Sequence, residues 1–365
     1  MGNILSVGTF DPPNKLDQSL TMEFARELFS SSFKDIERLL PVFENGWIDE
    51  RNFTNSIEWF KKNHSLKERN DLFIEKATEY GVQSIEECLT NKHFLQSSVK
   101  ESEIDAIIFV TSSGMSTPSI EARIMNKMPF SPHTKRIPIW GLGCAGGAAG
   151  ISRAFEYCKA FPKQNVLVCC VELCSLTFQR GDKTKSNLIG TSLFADGVAT
   201  ALVCGEHSEL LMKSRLALKP KIIDVQSTLM PDSEEVMGWD VKDTGLHVVF
   251  SRDIPSIIEK WLKPNVTDFL EKHHLQLEQI TAFIAHPGGR KVLEAYETSL
   301  GIKEEKTAIS KEVLRKNGNM SSPTVLYVLE KFMKQTFQSG DIGLMASLGP
   351  GFCSELVLIS WEGLH

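Results

Sequence analysis

The segment Ile137-Pro-Ile-Trp-Gly-Leu-Gly-Cys144-Ala-Gly-Gly-Ala-Ala-Gly150 constrains the fold more than any other stretch of this chain. Its apolar start, Ile137–Trp140, reads as a buried strand, and Gly141 and Gly143 allow a sharp turn. The run of small residues from Ala145 to Gly150 then demands a helix packed unusually close to its neighbours. Strand, glycine turn and tight helix together specify an α/β architecture, with a thiol at the helix N-terminus. There the positive end of the macrodipole and free N–H groups favour a thiolate. The alternative reading of Cys144 is a small buried core residue, the usual fate of a free cysteine.

The rest of the chain repeats the pattern. Strands are predicted at Ile4–Phe10, Ala106–Thr111, Ile137–Leu142, Val166–Glu172 and Ala199–Cys204. After a break near Ser208–Lys221 they resume at Ile222–Leu229, Leu246–Phe250, Thr281–Ala285, Ile342–Leu348 and Ser354–Trp361. Helices are predicted at Met22–Phe29, Ser65–Leu89, Ala148–Ala160, Pro255–His273, Arg290–Leu300 and Pro323–Gln338. Ala106–Gly114 and Thr281–Gly289 are both apolar strands that run into a polar, glycine-bearing turn. Ala199–Cys204 and Ser354–Ile359 both read as closing strands. The expectation is two duplicated α/β halves, 1–215 and 216–365, with the functional site where they meet. The charged and aromatic stretch Gly46–Asn70, with Trp47, Arg51, Trp59 and Lys61, is expected at the surface.

Composition narrows the function classes. A 365-residue chain with 42% hydrophobic and 24% charged residues builds a large ordinary core. A net charge of −6 and the absence of a Lys/Arg-rich run argue against nucleic acid as a partner. Eight cysteines with no C-x-x-C pair read as reduced thiols, so a cytoplasmic protein is expected. No apolar run approaches the ~18 residues of a membrane helix. Met1-Gly2-Asn3-Ile4-Leu5-Ser6 fits the N-myristoylation pattern, but Ile4–Phe10 reads as core strand, where an acyl group has no place.

Two further residues join Cys144. His286 ends the strand Thr281–Ala285 and precedes Pro287-Gly288-Gly289, a position suited to the mouth of a cleft. Asn319 follows Gly318, whose permissive backbone can turn an amide inward. Asn317, Ser321 and Ser322 fit the ordinary role of caps to the helix beginning near Pro323. In a Cys/His/Asn set the histidine takes the thiol proton, and His and Asn N–H groups stabilise an oxyanion or enolate. The same residue types serve papain-like proteases, but this cysteine lies in mid-chain on an α/β pattern without the protease flanks.

Trp140-Gly-Leu-Gly-Cys144-Ala-Gly-Gly, Asn187-Leu-Ile-Gly-Thr-Ser-Leu-Phe194-Ala-Asp-Gly, His286-Pro-Gly-Gly, Gly318-Asn319-Met-Ser-Ser and Leu348-Gly349-Pro350-Gly351-Phe352 together resemble the motifs of type III polyketide synthases, the chalcone synthase superfamily. They occur in family order along the whole chain. The resemblance implies a thiolase fold, with two mixed-sheet halves in a layered αβαβα arrangement. It also implies a homodimer and an acyltransferase that takes acyl-CoA and malonyl-CoA and needs no metal or redox cofactor. Cys144 would then carry the acyl starter, His286 would hold it as thiolate, and His286 with Asn319 would bind the malonyl thioester carbonyl during decarboxylation and Claisen condensation. β-Ketoacyl-carrier-protein synthase III uses the same three residue types for a single condensation. It typically reads His-Gln-Ala-Asn where this chain has His286-Pro-Gly-Gly. A catalytically silent, acyl-CoA-binding relative is the third possibility, and the intact Cys144, His286 and Asn319 argue against it.

Departures from the plant pattern address the substrate. Phe194 matches one gatekeeper phenylalanine, whereas Val248 stands at the place of the second and widens the gate. Trp239 replaces a small residue and trims the ketide cavity. Cys174 lies thirty residues after Cys144, as in bacterial long-chain alkylpyrone synthases, where it lines an acyl tunnel. Thr177, Ser321 and the Gly349-Pro350-Gly351 loop are carried over as substrate-binding positions. The expected substrate is therefore a long-chain fatty acyl-CoA, and the product a triketide or tetraketide pyrone. The family's coenzyme A cations do not map: Pro41 and Asn45 stand in their places. Lys34 and Arg38, spaced i and i+4 on a presumed helix face, are the substitutes. Thr117 replaces the methionine that reaches across the family's dimer.

Overall fold

The computed structural model describes residues 2–30, 32–251 and 253–363. Among them are thirteen strands: β1 (Gly2–Phe10), β2 (Asn14–Asp17), β3 (Glu50–Phe53), β4 (Ala106–Thr111), β5 (Lys135–Trp140), β6 (Asn165–Leu173), β7 (Asp196–Gly205), β8 (Lys219–Leu229), β9 (Met237–Lys242), β10 (Gly245–Phe250), β11 (Ile280–Ala285), β12 (Ile342–Gly349) and β13 (Cys353–Glu362). Nine of them form one mixed sheet in the order β11-β12-β13-β8-β1-β7-β6-β4-β5. From β1 outwards through β7, β6 and β4, the pairings run antiparallel, antiparallel, parallel. From β8 outwards through β13, β12 and β11 the same sequence of pairings recurs. A short β1–β8 ladder at Gly2–Asn3 joins the two series. The repeated strand order is the duplication expected from the pattern. The expected boundary at 215/216 falls in the connection between β7 and β8.

β4, β6 and β7 are buried along their whole lengths, which is why their sequences are mostly apolar rather than alternating. The helices Gly146–Ala160 and Thr324–Met333 lie between the two strand series and contact both. Outside them, the helix Leu66–Thr90 covers β1, β6 and β7. On the far side Ile258, Leu262 and Leu293 pack on Phe283, Leu344 and Leu356. The result is five layers, αβαβα. Close packing in the central layer is where the small residues act. A Cβ on Gly147 would stand 2.2 Å from Ser322 O, and one on Gly150 2.5 Å from Val168. Gly2 is buried in β1, leaving no room there for an acyl group.

Four expectations are corrected. β5, expected to be buried, is an edge strand with alternating exposed positions, and Trp140 is 49% exposed. The helix expected over Pro255–His273 is broken into Ile254–Ile257, a π-turn at Ile258–Leu262 and Lys263–Glu271, next to Pro264, which has no N–H for the ladder. Lys34 lies in a turn before the short 3₁₀ helix Ile36–Arg38, so Lys34 and Arg38 share no helix face. Both side chains are exposed, and Arg38 reaches only Asp35, at 3.7 Å. Finally, Gly46–Asn70 does not lie wholly on the surface: Arg51, Phe53, Phe60 and Arg69 in it are buried. The sequence reading missed β2, β3 and β9, which are short and polar along at least one face.

Candidate active site

Cys144 sits in the 3₁₀ turn Gly143–Ala145, directly ahead of the helix Gly146–Ala160. Gly141 and Gly143 adopt φ of 92° and 46°, the left-handed region that a Cβ disfavours. The Gly143 N–H donates to Ser112 Oγ at 2.9 Å. A Cβ on Gly143 would meet Pro350 at 2.8 Å, and one on Gly349 would meet Leu142 O at 2.5 Å. The Gly349-Pro350-Gly351 loop thus braces the back of the cysteine turn and is not part of the pocket wall described below.

His286 follows β11, and its N–H donates to Ala346 O at 2.9 Å, continuing the β11–β12 pairing by one residue. Its ring is buried, and neither nitrogen has a hydrogen-bond partner among the described residues. Asn319 is set by backbone as well as side chain. Its N–H donates to Leu193 O at 2.9 Å, and its carbonyl accepts from Ala195 N at 2.9 Å. The amide is fixed at both ends: Nδ2 donates to Gly288 O at 3.0 Å, and Oδ1 accepts from Ser321 N at 2.8 Å. Held so, the amide lies 3.8 Å (Oδ1) and 3.9 Å (Nδ2) from Cys144 Sγ. Ser321 therefore orients Asn319, with its own φ at 60°.

Burial dominates the electrostatics. It pushes the Cys144 thiol up to about 11, against the lowering effect of hydrogen bonds from Ser321 and Asn319. It brings His286 down to about 3. Each group alone is held neutral. Among the described residues Cys144 Sγ lies against the Asn319 amide, and no hydrogen bond joins it to the His286 ring.

One group the sequence reading missed is Glu172, fully buried in β6. It accepts from Ser112 N at 3.0 Å and Ser322 Oγ at 3.1 Å. Burial pushes it up to about 7. The signal was available: a lone carboxylate inside the apolar run Val166–Leu173. Because its folded value exceeds its ordinary one, Glu172 binds its proton more tightly in the native state, and its contribution to stability is lost as pH rises from about 4.5 to about 7. Glu172→Gln should therefore gain on the wild type by about 2–3 kcal/mol between pH 5 and 8, read from urea unfolding at each pH. An unchanged difference across that range would show Glu172 to titrate normally.

Beyond Phe194 lies a narrow apolar cavity, partly open to solvent. Phe24, Phe53, Ile57, Phe60 and Phe178 give it apolar walls, and Cys174, Thr177, Phe194, Trp239 and Val248 all line it. The gate differs from expectation. Although Val248 is small, Phe250 two residues on stacks on Phe194, with centroids 5.6 Å apart and planes at 24°. Trp239 packs on Phe194 at 5.9 Å.

The models of the chalcone and stilbene synthase N-terminal and C-terminal domains match residues 3–207 and 221–361. Among similar proteins, a putative chalcone synthase of Bacillus subtilis (strain 168) is 54% identical over 363 residues, covering 99% of both chains. A 1,3,6,8-tetrahydroxynaphthalene synthase of Streptomyces peucetius subsp. caesius is 31% identical over 98% of this chain and 93% of its own. The crystal structure of 1,3,6,8-tetrahydroxynaphthalene synthase from Streptomyces coelicolor A3(2) superposes with a TM-score of 0.90 at 28% identity, covering 99% of each chain. PKS-I of the brown alga Ectocarpus siliculosus follows at 0.88 and 25%, covering 99% of this chain and 98% of its own. Matched in both halves and over its whole described fold, the chain belongs to the chalcone and stilbene synthase family, and is a type III polyketide synthase, a polyketide-forming acyltransferase.

Proposed function

We propose that this enzyme condenses malonyl-CoA onto a long-chain fatty acyl-CoA starter held on Cys144 and releases triketide or tetraketide alkylpyrones. His286 takes the Sγ proton, and the thiolate attacks the starter's thioester carbonyl. Coenzyme A leaves as its thiolate and is protonated. The malonyl thioester carbonyl then accepts from His286 and the Asn319 amide, and its carboxylate departs as CO₂. The resulting enolate attacks the acyl-cysteine carbonyl, which frees Cys144 Sγ. No electron is gained or lost along this path, and decarboxylation drives it, so it calls for no metal or redox cofactor.

The observation that carries the starter class is the apolar cavity lined by Cys174 and Phe194, with Trp239 on the same wall. A chain lying there buries methylenes worth about 0.8 kcal/mol each, so kcat/KM should rise roughly fourfold per added methylene until the cavity is filled. The test is a series of short- to long-chain acyl-CoAs with labelled malonyl-CoA, the products identified by mass spectrometry. Labelled pyrones that favour long starters support the reading. A single β-ketoacyl product on a carrier protein, or equal use of acetyl and long-chain starters, overturns it.

The enzyme is further proposed to work as a homodimer paired across the β5 edge, where Met115 and Trp140 expose 42% and 49% of their surfaces. Its mass in solution should be about twice the 40.8 kDa of one chain. Cytoplasmic residence is likewise a proposal, resting on the eight free cysteines. No helix among the described residues is long and apolar enough to cross a membrane.

A further inference from the structure

Arg51 was expected at the surface and is 0% exposed. From β3 its Nη1 donates to Thr191 O at 2.8 Å and Phe194 O at 2.6 Å, both at the C-terminal end of the helix Lys185–Leu193. A cation at a helix C-terminus is favourable, and that accounts for part of its placement. It does not account for the rest. Among the described residues Nε and Nη2 have no hydrogen-bond partner, and burial brings the guanidinium down to about 9, with Asp196 opposing that shift. Burying a cation so incompletely paired costs several kcal/mol, and a neutral side chain could fill the space at less cost.

The position explains what that cost sustains. Arg51 Nη1 grips the carbonyl of Phe194, and the residues on either side, Leu193 and Ala195, are the two that bond the Asn319 backbone. The Arg51 stem also lies beneath Gly318: a Cβ there would stand 2.7 Å from both Cγ and Cδ, at a φ of 68°. One side chain therefore touches the strand-like bridge between Phe194 and Asn319 from both partners' sides. We propose that Arg51 is a positioning residue that fixes the register of Asn319 against the Phe194 gate, tying the wall of the acyl cavity to the donor of the malonyl carbonyl. This rests on the reading of Asn319 as that donor.

The inference separates two half-reactions. Acyl loading uses Cys144 and His286, which β5 and β11 place independently of Arg51. Malonyl decarboxylation uses Asn319. In Arg51→Met, malonyl-CoA decarboxylation should fall about 10- to 100-fold, the scale of a displaced oxyanion donor. Loading on Cys144 of a short acetyl starter, which does not extend along the cavity that Arg51 lines, should stay within about twofold of wild type by intact-protein mass. Arg51→Lys, which keeps the charge and one carbonyl contact, should fall between the two. It carries the test alone if the methionine variant does not fold. A parallel fall of loading and decarboxylation would reduce Arg51 to a fold-holding residue, and an unchanged decarboxylation rate would also overturn the proposal. A wild-type enzyme unable to decarboxylate malonyl-CoA would overturn the reading of Asn319 itself, which distinguishes the two failures.

Discussion

Cys144→Ala is expected to abolish polyketide formation, a loss on the order of 10⁴- to 10⁶-fold, as when the nucleophile of a coupled set is removed. No acyl-enzyme should appear by intact-protein mass with any starter. Malonyl-CoA decarboxylation should survive in part, because the proposed N–H donors to the enolate belong to His286 and Asn319, not to Cys144. The Asn319 amide keeps its orientation without the sulfur: Gly288 O and Ser321 N hold it at 3.0 and 2.8 Å. The variant should therefore convert malonyl-CoA to acetyl-CoA without building a chain. An acyl-enzyme in this variant would place the nucleophile elsewhere. Among the described residues, Cys174 is the thiol that lines the acyl cavity, and burial pushes it well above the ordinary cysteine range. It is a poor substitute.

His286→Gln is the second large effect, and pH reveals it. If His286 takes the thiol proton, as proposed, Cys144 of the wild type should be alkylated by iodoacetamide well below the alkaline range. With glutamine in its place Cys144 must ionise alone, against the burial that pushes it up to about 11. The midpoint of alkylation should therefore move upward toward that value. At pH 7, loading should fall by at least about 10³-fold, in proportion to the lost thiolate. Decarboxylation should fall too, by about 10²–10³, if His286 is one of the two donors as proposed. A variant alkylated with the wild-type pH profile would show that the helix N-terminus, not His286, sets the thiolate.

Much of this site is legible in the residues themselves. The turn that carries Cys144 must contain glycines, because Gly141 and Gly143 take left-handed φ values and Gly147 abuts Ser322 O. Gly318 likewise announces an unusual backbone next to Asn319. Strands such as β4 and β6 are visible because they are mostly apolar. β2 and β3 are not visible: they are four residues long, half-exposed and charged, and only their long-range partners hold them as strands. The same limitation hid Arg51. A charged residue among Trp47, Trp59 and lysines has the composition of a solvated face. What buries it is contact with Thr191 and Phe194, 140 and 143 residues away.

The gate shows the division from the other side. Val248 gave a correct local fact, a small residue lining the cavity, but its consequence depended on a neighbour. β10 places Phe250 two residues on, where it stacks on Phe194 and supplies an aromatic contact that the residue type at 248 does not. Lys34 and Arg38 failed in the opposite way: a helical spacing was read where the chain forms a turn and a single 3₁₀ turn.

The layered arrangement was implied by the family resemblance; local sequence determined the alternation of strands and helices, most strands of the large sheet, and Cys144, His286 and Asn319 as candidate site residues. Each of these is written in local chemistry: apolar periodicity, glycines at backbone positions that exclude a Cβ, and residue types with the required acid–base character. Tertiary structure alone decided that the Asn319 amide faces Cys144, that Glu172 and Arg51 lie buried around the site, and that Phe250 stacks on Phe194. Those facts are set by contacts between residues far apart in the chain. Burial, which fixes both the pKa of a group and the partners open to it, belongs to the folded assembly and not to any segment of it.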